Sequence, residues 1–155
     1  MSAELIRFAH IIGATVLIGT GAGIAFFMLM AHRSRDPALI AHVAGTVVIA
    51  DLLFTASAVI IQPITGTLLA QAVGWPLTTP WILWSLGLYV FIGGLWLPVL
   101  WIQKEMRDIA RQCVATTAPL PERYHLLFHV WFVFGVPAFG AILAIVWLMV
   151  NRPDW

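Results

Sequence analysis

Charge is what this sequence has least of. Asp, Glu, Lys and Arg make up 10% of its 155 residues, against 61% hydrophobic. Soluble domains average about 25% charged and about 45–50% apolar. A water-soluble chain could not cover this much apolar surface, so the solvent is lipid. Cysteine is almost missing as well. Cys113 is alone, which excludes an internal disulfide, a cysteine-built metal site and a C-x-x-C-H haem attachment. With a net charge of +1 and no basic run or RNA motif, nothing points to nucleic acid as a partner. There is no Gly-x-Ser-x-Gly elbow, no H-E-x-x-H pair and no phosphate-binding glycine loop. These absences remove hydrolase, zinc-protease and nucleotide chemistry but leave open whether the chain is an enzyme. A cleavable signal is not expected either, because the first apolar run is as long as a full span.

What is present is long apolar runs separated by short polar breaks. The runs predict membrane helices over about 5–31, 38–70, 81–103 and 124–150, in a single domain covering 1–155. The third helix is expected to continue through Lys104–Gln112 as a wet extension. Pro37 suits the opening of the second helix, and Pro63 and Pro137 fall inside the second and fourth. Gly19-x-x-x-Gly23 would permit close helix approach in the first. Several of the eight Trp sit near span ends, where indoles favour the interface.

Basic residues set the orientation. Arg33 and Arg35 lie in the first turn, and Lys104, Arg107, Arg111 and Arg123 lie between the third and fourth spans. The loop between spans two and three has no Lys or Arg. The positive-inside bias then places both basic segments in the cytoplasm and both termini outside. The expected fold is all-α, an integral membrane up-down-up-down four-helix bundle in a bacterial inner membrane.

The second span carries one carboxylate, Asp51. A charge at the centre of a membrane helix costs on the order of 2.5–3.5 kcal/mol on insertion scales, so Asp51 should face protein. Thr55 and Gln62 fall within roughly 40° of it at helical spacing, which makes one polar stripe. Ser85, Tyr89, Trp96 and Gln103 share a face of the third span. Helix rise puts His10, Gln62 and Ser85 at one level near the termini, and Gln103 and His129 towards the basic side. Asp51 reads either as a proton-relay group or as a polar lock on helix packing.

Five histidines in so apolar a chain raise the question of haem, because bundle cores house cofactors and imidazole is a common axial ligand. His10 shares a face with Ala14, Leu17 and Gly21 and should point inward. It is either an iron ligand or a hydrogen-bonded packing residue, with Gln62 and Ser85 as neighbours of a haem. His129, on the face of Gly140 and Ala144, is the alternative iron ligand, with His32, His42 or His125 as its partner. His10 and His129 are on the order of 25 Å apart by helix rise and cannot serve one haem. His42 lies about 180° from Asp51 around its helix and is expected to snorkel. His32 and His125 read most simply as turn and surface residues.

The segments RFAHIIGATVLIGTGAGIAFFMLMAHR, VVIADLLFTASAVIIQPITG, LWLPVLWIQKEMRDIA and GVPAFGAILAIVWLMVNRP resemble a bacterial family of predicted four-span membrane proteins, domain of unknown function number 2269. That likeness covers nearly the whole chain and implies the architecture without a reaction. Ala9-His10-Ile11-Ile12 is similar, more distantly, to the opening of the haem-containing membrane protoporphyrinogen oxidases of the HemJ type. In that family a threonine-proline element stands where this chain has Gln62-Pro63, and an Asn-Glu-Val-Pro element where it has Phe134-Gly135-Val136-Pro137. The resemblance implies His10 as a haem ligand. The expected function is a haem b-binding electron-transfer or oxidase component with a redox partner or quinone. The alternative is a cofactor-free binding, transport or assembly component built on Asp51, which as a transporter would need a homo-oligomer.

Overall fold

A computed structural model describes residues 2–153, and among them every long element is a helix. Helix α1 spans Ala3–Ser34, α2 Pro37–Val73, α3 Pro80–Thr116 and α4 Glu122–Asn151. All four are long and apolar enough to cross a membrane. The chain is an all-α, up-down-up-down four-helix bundle.

The ends of the helices follow from local chemistry. Ser2 caps α1, its hydroxyl accepting from the Leu5 N–H. Arg35 ends α1 in a left-handed conformation, φ +58°. Asp36 then caps α2 by accepting the Ala38 N–H at 2.9 Å, with Pro37 in the first turn, where its missing N–H costs nothing. So α1 reverses into α2 within two residues. Gly74 ends α2 at φ +82°, a value that suits a residue without Cβ. Pro80 opens α3 as Pro37 opens α2.

Within α2, the segment Asp51–Thr55 is a π turn, with the Ala56 N–H bonded to the Asp51 carbonyl. Such turns widen the helix locally and recur at functional positions. The buried face of α2 runs Ile40, Ala44, Val47, Asp51, Thr55, Ala58, Gln62, Thr65. The spacings alternate between three and four except at Val47–Asp51–Thr55, where two fours adjoin at the π turn. Polar residues therefore stay on the packing seam from Asp51 to Thr65.

Helices pack in sequence: α1 on α2, α2 on α3, α3 on α4, with α4 meeting α1 only lightly. The apolar core gathers at the end that holds the α1–α2 turn and the α3–α4 linker. Met28 and Ala31, Ile40 and Ala44, Ile102 and Met106, and Tyr124 and Trp131 meet there. Leu52, Ile60, Val90, Leu97 and Val150 are exposed, as side chains that meet acyl tails are. The expected close approach at Gly19 and Gly23 does not occur within the chain: a Cβ at either would meet nothing within 4 Å. Close approach occurs instead at Gly13, over the Gln62 side chain, and at Gly66, over the His10 ring.

Candidate intramembrane polar site

Asp51 is 3% exposed, in the middle of α2. The Trp96 Nε1–H of α3 donates to its Oδ1 at 3.4 Å, a long bond. The side chains of Thr55, one turn on, and Gln103, from α3, also reach the carboxyl group. Only the Trp96 contact has full hydrogen-bond geometry. Thr55 Oγ1 and Gln103 Oε1 are buried and have no partner. The ion pairs among the described residues are Arg107–Asp108 and Arg123–Glu105, so no cation stands against Asp51. Helix α3 presents the face expected from its spacing: Ser85 and Gln103 are buried, and the Tyr89 hydroxyl donates to the Val59 carbonyl of α2.

Towards the termini a second polar group surrounds His10. Its Nδ1 lies 2.9 Å from Thr65 Oγ1, which in turn is 2.9 Å from the Ile61 carbonyl. The Thr65 proton goes to that carbonyl, so the hydroxyl accepts from His10 Nδ1–H. This network assigns the Nδ1 tautomer and leaves a lone pair on Nε2. Gln62 is buried one turn before Gly66, and its Oε1 has no partner. Ser85 is buried too, its hydroxyl bonded to the Trp81 carbonyl, while Trp81 Nε1 is unpaired.

The other histidines lie at the opposite end of α1. His32 stacks on Phe128 with ring centroids 3.6 Å apart, and its Nδ1 is 3.4 Å from the Tyr124 hydroxyl. His125 sits edge-on to His32 at 5.8 Å. With His129, Leu29, Phe128 and Phe132 they line a cleft of about 370 Å³ between α1 and α4. His129 is thus exposed on a cleft, not set on a packing face, and a Cβ at Gly140 would meet nothing. His42 is exposed and apart from this group. Twenty-two residues separate His10 from His32, roughly 33 Å of helix rise, so the two histidine centres are independent. Among the described residues no group of three or more His, Cys, Asp or Glu side chains is arranged to hold a metal ion.

One family model matches residues 4–153, and its description is a predicted integral membrane protein, DUF2269. The chain belongs to the DUF2269 family. No curated protein and no solved structure matches it. The likeness to the porphyrinogen oxidases therefore rests on the few residues around His10. For this DUF2269 member the membership and the four spans agree, and the particular chemistry must be argued from its own side chains.

Thr55, Gln62, Trp96 and Gln103 were all readable as polar faces. Thr65 was not singled out, although it continues the Asp51–Thr55–Gln62 spacing by three residues. The π turn has no proline or glycine to announce it.

Proposed function

We propose that this protein is a four-span component of a bacterial cytoplasmic membrane that binds and relays a proton on Asp51. The observation that carries the reading is a carboxylate buried mid-span on a π turn, without a cation, with Thr55, Trp96 and Gln103 converging on it. Leucine at that position would avoid an insertion cost of about 2.5–3.5 kcal/mol, and intramembrane acids are retained mainly along proton and ion paths. The groups that reach the carboxyl are uncharged, so its own protonation decides the charge of the site. Four spans are few for a conduction path, and homo-oligomers supply the remaining walls. The basic residues at the core end support an orientation with that end in the cytoplasm and both termini outside.

The test is proton uptake into vesicles containing the purified protein, driven by an imposed potential and read with a trapped pH dye. Uptake falls at least tenfold in Asp51→Asn and survives in Asp51→Glu. Equal uptake by wild type and Asp51→Asn rejects the proposal.

The imidazole-lined cleft favours a second reading, haem b binding with electron transfer to a redox partner or quinone. His129 and His125 offer exposed imidazoles beside the apolar walls of Leu29, Phe128 and Phe132, which suits a porphyrin edge. His10, backed by Thr65 and flanked by Gln62 and Ser85, is the ligand if the group lies near the termini. A bound haem would supply one-electron chemistry. A Soret band in protein purified from haem-replete cells, lost in His129→Ala or His10→Ala, supports this reading. A colourless preparation removes it.

A further inference from the structure

We infer that the seam between α1 and α4, at the end that holds the α1–α2 turn, is a binding site for an anionic phospholipid. The inference stands apart from Asp51. It gives the imidazole-lined cleft an occupant other than haem.

Two cavities meet on this seam. The larger, about 710 Å³, lies between the α1–α2 turn and the α3–α4 linker, and Arg35, Asp36, Cys113, Pro119 and His125 are among its walls. The smaller is the cleft of about 370 Å³ walled by Leu29, Phe128 and Phe132 with His32, His125 and His129. His125 lines both, so the charged cavity and the apolar one adjoin at its ring. From Arg35 back to Leu29 is six residues, roughly 9 Å of helix rise. From His125 to Phe132 is seven, roughly 10 Å. The walls thus turn from charged to apolar over a depth comparable to the headgroup layer of one leaflet. Helices α1 and α4 touch only lightly, and Phe132 is exposed, so the cleft is open to acyl chains.

Charge selects the sign of the headgroup. Asp36, the acid among these walls, uses Oδ1 to accept the Ala38 N–H as the cap of α2. The ion pairs among the described residues are Arg107–Asp108 and Arg123–Glu105, so Arg35 has no carboxylate partner. A phosphodiester offers two oxygens to its guanidinium fork, and the His125 imidazole adds a donor from α4. Basic pockets between membrane helices at the interface bind acidic phospholipid headgroups in this way. A soluble anion would use the larger cavity alone. The apolar cleft that adjoins it calls for an acyl chain on the same molecule.

The experiment is native mass spectrometry of the full-length protein, delipidated in detergent. Phosphatidylglycerol or phosphatidylcholine is added at equal concentration, and thermal melts are run with each. Wild type retains phosphatidylglycerol in preference and melts at higher temperature with it. Arg35→Gln and His125→Gln each lower that retention, Arg35→Gln roughly fivefold, the worth of one basic residue at an anionic lipid surface. Arg35→Lys keeps most of it, and Arg152→Gln, at the other end of the bundle, changes nothing. Melts without lipid verify that each variant is folded, and the two substitutions on different helices test the site separately. Equal retention of the two lipids overturns the site, as does equal retention of phosphatidylglycerol by wild type, Arg35→Gln and His125→Gln. A melt raised as much by inorganic phosphate as by phosphatidylglycerol means a soluble anion and overturns it too. So does a Soret band in the same preparation, which gives the cleft to haem.

Discussion

At the scale of single residues, the half-buried His10 and the buried Asp51 are polar groups of different kinds. His10 is held: its N–H has an acceptor in Thr65, its ring rests against Gly66, and the Thr65 proton is used on the Ile61 carbonyl. Asp51 has one hydrogen bond, a long one from Trp96, and no cation beside it. Satisfied pairs stabilise a fold, and unsaturated ones mark a place where something enters. Thr65→Val removes the acceptor of His10 and keeps the shape. It should lower stability by about 1 kcal/mol, whereas Thr65→Ser should not. Reversible unfolding in detergent measures both. Equal losses in the two variants would mean that the methyl group, not the hydroxyl, matters.

The helix seam explains which parts of the site could be read beforehand. Asp51, Thr55 and Gln62 follow from spacing on one helix, and so does the matching face of α3, because helical periodicity is local. The pairing of Trp96 with Asp51 is a matter of register between two helices, which spacing along either helix does not contain. The same limit applies to glycine. Gly19 and Gly23 form the recognisable motif, yet it is Gly13, six residues before it, and Gly66, on the next helix, that let α1 settle on α2. A Cβ at Gly66 would lie 3.1 Å from the His10 ring, and one at Gly13 would lie 3.2 Å from Gln62. Gly66→Ala must therefore push the histidine ring and should destabilise the helix pair. Gly23→Ala meets nothing and should be neutral or stabilising by up to about 1 kcal/mol, the helix-propensity difference. Melting temperatures of the two variants, each against wild type, decide it. The opposite order would mean that the α1–α2 contact is misplaced.

For the whole molecule, the distribution of charge and the distribution of packing coincide. The α1–α2 turn and the α3–α4 linker sit at one end of the bundle, which also holds the dense apolar core. Six of the eight Lys and Arg residues are there: Arg33, Arg35, Lys104, Arg107, Arg111 and Arg123. Arg7 and Arg152 are at the other end, where the α2–α3 loop carries no base. The ion pair of Arg123 with Glu105 joins α4 to α3 at 2.7 Å, but as a solvent-exposed pair it adds little stability. The positive-inside bias predicts that this cationic excess acts on insertion rather than on folding, with those loops on the cytoplasmic side. The single cysteine makes this testable. In a Cys113→Ala background, Thr78→Cys should react with a membrane-impermeant maleimide on intact spheroplasts. Ser34→Cys should react only after the membrane is opened. The reverse pattern would invert the bundle, and protons reaching Asp51 from the terminal half would then come from the cytoplasm.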